Sequence, residues 1–226
     1  MSNAELDAIY LTIALASVTT FILLLLGTPL AWWLAQHRGR IAALVEALVA
    51  VPLILPPTVL GFYLLLLLAP DSALGRAWYA ATGSTLAFSF NALVVGSVIY
   101  SLPFVVQPLQ AAFQRVPPSL MDAAATLGAQ PLDQFMSIVL PMTRRSFVAA
   151  ASLGFAHTVG EFGVVLMIGG NIPGETQVLS IALYDHVESL QYAEAHRLAA
   201  GLLVFSLLLL FFIYARDRDA GWRLSS

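Results

Sequence analysis

His157 and Glu161 are the side chains of this sequence with the clearest chemical potential. They stand four apart, so on a helix both lie on one face. An imidazole and a carboxylate so placed can hold a metal, relay a proton or bind each other. A metal or protease site needs a third ligand, usually in the order H-E-x-x-H, and that order is absent. A proton relay and a structural or gating pair both stay open. Glu161 sits in an apolar run, and a carboxylate at mid-membrane costs about 2.5–3.5 kcal/mol. It therefore needs a partner, a proton or water, unless Gly160 and Gly163 unwind the chain near a surface. Ser152, Ala156 and Gly160 recur at every fourth position, a smooth stripe on which another helix can approach closely.

A second group is built from prolines. In the run V-P-L-I-L-P-P-T-V-L-G-F, residues 51–62, Pro52, Pro56 and Pro57 remove three backbone donors. The carbonyls so stranded are tolerated in hydrocarbon only where neighbouring helices or a watery cavity satisfy them. A kinked packing helix and a broken helix beside a translocation path both fit, with Pro56, Pro57 and Gly61 at the centre. The third group is P-P-S-L-M-D-A-A-A-T-L-G, residues 117–128. Ser119 is placed to cap a short helix, Asp122 to complete a capping box, and Gly128 to take the left-handed position at its end. Pro131 then opens a second short helix through Phe135 and Ile138 that stops before Pro141. Helices of about two turns are marginal alone. This segment either packs on its own domain or docks into a groove of a cytoplasmic partner.

The elements that must carry these groups are membrane spans. Of 226 residues, 59% are hydrophobic and 10% charged, and the mean hydropathy is +0.85. A soluble domain carries about 25% charged residues, so a cytosolic enzyme, a disordered chain and a nucleic-acid-coating protein are all excluded. Five windows of roughly 20 apolar residues fall at about 9–34, 44–69, 86–106, 146–168 and 198–215. They predict an all-α membrane protein with five transmembrane helices forming one domain over 9–215, a cytoplasmic segment at 108–145 and a short cytoplasmic tail at 216–226. Glu5 and Asp7 flank the first window where a removable leader carries basic residues, so that window is expected to remain as a span. No internal repeat is evident, and one span, the second, is heavily interrupted.

All ten basic residues are arginine. With the N-terminus outside, Arg38, Arg40, Arg115, Arg144, Arg145, Arg216, Arg218 and Arg223 are cytoplasmic, and Arg76 and Arg197 are outside. The positive-inside rule favours this orientation, N-terminus out and C-terminus in. The absence of lysine removes a Walker A motif from this chain, and the absence of cysteine removes disulfides and thiolate metal sites.

Asp122-Ala123-Ala124, then Gly128, then Ile138-Val139-Leu140-Pro141 resembles the E-A-A loop of membrane subunits of ABC-type importers. The family spacing is E-A-A, three residues, G, nine residues, I-x-L-P, and Asp122 replaces the usual glutamate. Gly160-Glu161-Phe162-Gly163, the N-I-P-G-E-T run from Asn171 through Pro173, Gly174 and Glu175 to Thr176, and L-P-P-T-V-L-G-F at 55–62 look like the corresponding stretches of molybdate permease subunits. Sulfate permeases share the E-A-A loop and a related G-E-[FY]-G element.

The resemblance implies a MetI-like permease fold in the inner or plasma membrane, with Asp122, Ala123, Ala124, Gly128, Leu140 and Pro141 coupling to an ATPase. It implies a pore formed with a second copy of the chain, a cytoplasmic ABC ATPase dimer that binds ATP and Mg, an extracytoplasmic oxyanion-binding protein, and no cofactor or nucleic acid on this chain. Every arginine lies in a loop or near a span end, so no intramembrane clamp for a tetrahedral dianion is evident. High affinity is therefore expected in the binding protein, and the path here is expected to be weakly binding and lined by small residues and hydroxyls. Glu161 would repel a dianion and is cast as structural or gating. A permease for sulfate, thiosulfate or tungstate is the nearest rival. A proton-coupled secondary transporter using His157 and Glu161 is the rival from another class, and an intramembrane enzyme comes third.

Overall fold

Two long apolar runs fold as single helices even with Pro29, Pro103 and Pro108 inside them, whereas the Pro56-Pro57 pair and Gly160 with Gly163 divide two others. The computed structural model describes residues 3–221, with side chains described to residue 211. In chain order the helices are α1 (Asn3–Gln36), α2 (Arg40–Ile54), α3 (Pro57–Leu68), α4 (Ala73–Thr82), α5 (Phe90–Phe113), α6 (Pro118–Thr126) and α7 (Pro131–Gln134). A π turn (Phe135–Val139) comes next, then α8 (Leu140–Val159), α9 (Gly163–Gly169), α10 (Leu179–Glu188) and α11 (Tyr192–Gly221). No strand occurs among the described residues. Arg216, Arg218 and Arg223, and with them the tail reading, lie outside the residues whose side chains are described.

Three helices, α1, α5 and α11, are long and apolar enough to cross a membrane alone. Two bent pairs bring the number to five if each counts as one span: α2 with α3, bent by 113°, and the helix from Pro131 to Val159 with α9, bent by 58°. The second interruption corrects the reading of a single broken span. Its cause lies in Gly160 and Gly163, whose low helix propensity ends α8 before Glu161 and restarts the chain as α9.

α5 is the central post. Ser89 caps its first turn by accepting from the Ala92 N–H at 3.3 Å. Its faces pack on α1, α8, α9 and α2. One buried cluster joins Leu64, Leu68, Leu93, Val164 and Ile168. A second joins Leu34, Ala42, Val105, Leu109, Phe113 and Val139. The second cluster gathers the end of α1, the start of α2, the end of α5 and the start of α8, so Arg38, Arg40, Arg115, Arg144 and Arg145 decorate one end of the bundle.

Between α5 and α8 both expected short helices form, and two local expectations change. α6 starts at Pro118, with Pro117 as its N-cap and no side-chain cap bond. Proline suits the first helical position because its fixed φ is helical and its missing donor is not needed there; Ser119 therefore sits inside the first turn and makes no capping box with Asp122. The helix opened by Pro131 also does not stop before Pro141. The π turn lets the Leu140 N–H reach the Phe135 carbonyl five residues back, and this shift carries the helix past a residue without a donor.

The small-residue stripe is displaced as well. Ala150, Gly154 and Thr158 are buried, and a Cβ on Gly154 would stand 2.7 Å from Val105 Cγ2. Ser152 and Ala156 are half-buried and Gly160 is exposed. The face packed inside the chain is thus two residues out of step with the expected one.

Gly61 of α3 lies directly on α9: an added Cβ would meet Met167 Cβ at 2.7 Å and Val164 Cα at 3.3 Å. At Gly96 the nearest obstacle is instead the flexible end of Ile168. Gly61→Ala is expected to cost about 1–3 kcal/mol by overpacking, and Gly96→Ala less. Thermal unfolding in detergent checks this order, and a smaller loss at Gly61 than at Gly96 contradicts the packing.

Candidate functional site

The two helix breaks meet. Pro57 begins α3 and Gly163 begins α9, and a Cβ on Gly163 would lie 2.7 Å from Pro57 Cβ. Only a residue without a side chain allows this approach. Of the nominated pathway residues, Pro56, Pro57, Gly61, Gly160, Glu161 and Gly163 therefore cluster around one contact. Pro56 and Gly160 are exposed, Pro57 and Gly163 half-buried, and Gly61 buried.

At the α8–α9 break the freed backbone groups find new partners. Glu161 N–H donates to the Thr158 carbonyl at 3.3 Å, and the Glu161 carbonyl accepts from the Ser180 hydroxyl at 2.6 Å. The start of α10 is thereby pinned to the break. Leu179 N–H donates to Thr12 Oγ1 at 2.8 Å, which ties α10 to α1 as well.

The Glu161 side chain turns inward and is 3% exposed. Neither of its carboxyl oxygens has a hydrogen-bond partner among the described residues. Ser97 of α5 lies beside it in a geometry that leaves the serine hydroxyl unpaired too. These are orphaned polar atoms in a buried position, and native proteins rarely keep such atoms without a reason.

His157 and Glu161 do not pair, because α8 ends between them and the four-residue spacing no longer sets a shared face. The His157 ring stacks on Phe104, with centroids 3.8 Å apart, and lies beside Tyr100. Its Nδ1 is 2.9 Å from Ser101 Oγ, which is 3.1 Å from Thr158 Oγ1. Thr158 Oγ1 donates to the Gly154 carbonyl at 2.9 Å. With that last proton assigned, the chain runs in one direction: His157 Nδ1–H to Ser101, Ser101 to Thr158, Thr158 to the backbone. The result fastens the end of α8 to α5 next to the break.

The N-I-P-G-E-T residues lie at the far end of α9. Thr176 is buried, donates to the Gly169 carbonyl at 2.7 Å and accepts from Ile172 N–H at 3.2 Å. Gly174 has φ +78°, which the tight turn requires. Asn171 Nδ2 donates to Asp185 Oδ1 at 3.1 Å, and Gln177 Nε2 donates to Asn171 Oδ1 at 2.7 Å. Pro173 and Glu175 are exposed. This turn joins α9 to α10 at the end of α9 away from the Pro57–Gly163 approach.

At the opposite end, α6 has no buried residue, and Leu127 at its C-terminus is 88% exposed. Gly128 adopts φ +85°. Its N–H donates to the Ala125 carbonyl at 2.9 Å, and Ala129 N–H donates to the Ala124 carbonyl at 3.0 Å, the paired bonds of a Schellman end. Asp122 and Ala123 are exposed, Ala124 and Leu140 half-buried, and Pro141 exposed. Aromatic rings anchor the start of the long helix beyond it: Phe135 lies edge-on to Trp32 and Phe113 at 5.5 and 5.9 Å, and Phe147 is 5.8 Å from Phe113.

Ser97, Ser101 and Ser180 belong to no motif of the sequence, and neither they nor the role of Thr158 were anticipated from it. Ser97 and Ser101 stand four apart in an apolar window, which is the signal that would have found them.

Residues 27–218 match the family of binding-protein-dependent transport system inner membrane components. The chain is 53% identical over 218 residues to a molybdenum transport system permease protein of Azotobacter vinelandii, covering 96% of each. It is 32% identical over 224 residues to a sulfate transport system permease protein of Escherichia coli, covering 99% of this chain and 80% of that one. An inward-facing methionine ABC transporter superposes with a TM-score of 0.71 at 20% identity, over 97% of this chain and 99% of that chain. The several apolar helices and these matches make the protein a multi-pass transport component rather than an enzyme, and it belongs to the family of binding-protein-dependent transport system inner membrane components.

Proposed function

We propose that the chain forms, with a second copy of itself, the membrane pore of an ATP-driven importer for molybdate. The observation that carries the substrate is the 53% identity over nearly the whole chain to the Azotobacter vinelandii molybdenum permease. The likeness to a sulfate permease at 32% keeps sulfate as the second reading.

The drive comes from outside the chain. Without a lysine it has no P-loop of its own, so ATP and Mg belong to a separate ATPase dimer. α6 supports docking of that partner, being a short helix with none of its residues buried and a fixed Schellman end. The five arginines at this end of the bundle favour the cytoplasmic side for it, with the N-terminus outside. An extracytoplasmic binding protein delivers the oxyanion at the other end.

Closure of the ATPases moves α6, and α8 runs as one helix from the π turn below it to the break at Gly160. Displacement of α8 therefore acts on the Pro57–Gly163 contact, where two packed arrangements constitute a gate. The half-buried and exposed Ser152, Ala156, Gly160 and Pro56 offer a lining of small residues with one hydroxyl, that of Ser152, which suits a weak transient path. Glu161 and Ser97 lie buried beside the gate, and water reaches them when the break shifts.

In the reconstituted complex, labelled molybdate uptake is expected to be competed by excess tungstate and little by sulfate; stronger competition by sulfate reassigns the substrate. Gly128→Glu is expected to abolish docking, lowering co-purification of the ATPase and uptake by more than tenfold, and normal values for both remove α6 as the docking element. Glu161→Gln is expected to lower uptake or assembly while the molybdate-to-sulfate ratio is kept. A changed ratio in that variant would make Glu161 a selector.

A further inference from the structure

Between α1 and α11 the chain leaves a slot of about 340 Å³, open along one side. Its walls are apolar: Ile9 and Ile13 of α1, Leu198, Leu202 and Phe205 of α11, and Val159 at the end of α8. The volume lies in the range of small-ligand sites, about 300–1,000 Å³. From Glu5 and Arg197 at the mouth to Ile13 and Phe205 at depth is eight residues on each helix, about 12 Å of rise. Gly201 faces the slot, and a Cβ there would meet nothing within 4 Å. Glycine at this position keeps the space open, and no conformational need for it exists in the middle of α11.

The mouth is charged in a specific pattern. Arg197 has a side chain 58% exposed and stands 3.6 Å from Glu5 and 3.5 Å from Glu194. Both separations exceed the roughly 2.7–2.9 Å of a tight charge-assisted bond, so the guanidinium keeps donors for another acceptor. Glu194 is 39% exposed beside it. An accessible cation next to an accessible carboxylate matches a headgroup that carries both a phosphate and an ammonium. An anionic headgroup would meet the accessible Glu194 carboxylate beside Arg197, whereas Glu5 is buried and shared with His186 at 3.8 Å and Arg197 at 3.6 Å.

We propose that this slot is a lipid site, holding one acyl chain of an amine-bearing zwitterionic phospholipid with its phosphate on Arg197 and its ammonium toward Glu194. The apolar length takes the part of the chain nearest the headgroup, and the open side lets it enter from the bilayer. The lipid joins α11 to α1 where the protein itself leaves a gap.

Native mass spectrometry of the full chain, purified with its partner subunits and offered phosphatidylethanolamine, phosphatidylcholine or phosphatidylglycerol, tests this. One phosphatidylethanolamine per chain is expected to be retained in preference to the other two. Gly201→Phe fills the slot and is expected to cut retention at least tenfold, with Gly201→Leu as the smaller alternative should the phenylalanine variant aggregate. Arg197→Gln is expected to erase the headgroup preference. Equal binding of the three lipids by the unaltered protein, or unchanged retention when the slot is filled, would overturn the proposal. The chain has no cysteine, so Gly201→Cys introduces a single thiol; an efficient disulfide between two copies would place a second copy over the slot and also overturn it.

Discussion

A backbone that leaves the helix inside a membrane must find its hydrogen-bond partners within the protein, and this chain does so twice at one place. The break before Pro57 and the break before Gly163 lie against each other, with glycine on one side and a proline ring on the other. Gly61 continues the contact one turn along α3, against Met167. The remaining helices are arranged to support it. α5 fastens the end of α8 through His157, Ser101 and Thr158, while Ser180 of α10 covers the carbonyl exposed at Glu161.

The other end of the bundle obeys the opposite logic. There a helix is left with no fully buried residue: Met121 touches the second cluster, and local bonds, the Thr126 hydroxyl to the Asp122 carbonyl among them, hold the rest. Gly128 closes α6 in the left-handed region, and the aromatic group of Trp32, Phe113, Phe135 and Phe147 holds the chain just after it. A rigid, exposed helix beside an anchored base is suited to receiving a partner. The two ends are joined by α8, continuous because the π turn absorbs the missing donor of Pro141.

Much of this architecture is legible in the residues. Five apolar windows, the proline break and the left-handed glycine at 128 each derive from one physical rule that depends on local sequence. The chain between spans departs from its local signals where two rules compete. Ser119 is a good cap, yet Pro118 is a better first residue, and the proline decides where α6 begins. Pro141 is a breaker by propensity, yet a π turn accommodates it. The His157–Glu161 pair fails for a related reason, since spacing defines a shared face only while the helix lasts. The neighbours of Glu161, His157 and the small stripe lie on α5 and α10, and side-chain periodicity within one segment carries no record of them. Ser152, Ala156 and Gly160 have the spacing of a packing stripe, whereas inside one chain the packing runs through Ala150, Gly154 and Thr158.

Under the proposed division of labour, this chain supplies the path and a separate ATPase supplies the work. Molybdate accumulation in proteoliposomes tests it most directly, comparing the chain alone with the chain joined by its ATPase and binding protein. The account predicts accumulation in the full assembly, dependent on ATP, and none by the chain alone under an imposed proton gradient. Proton-driven accumulation by the chain alone would contradict it.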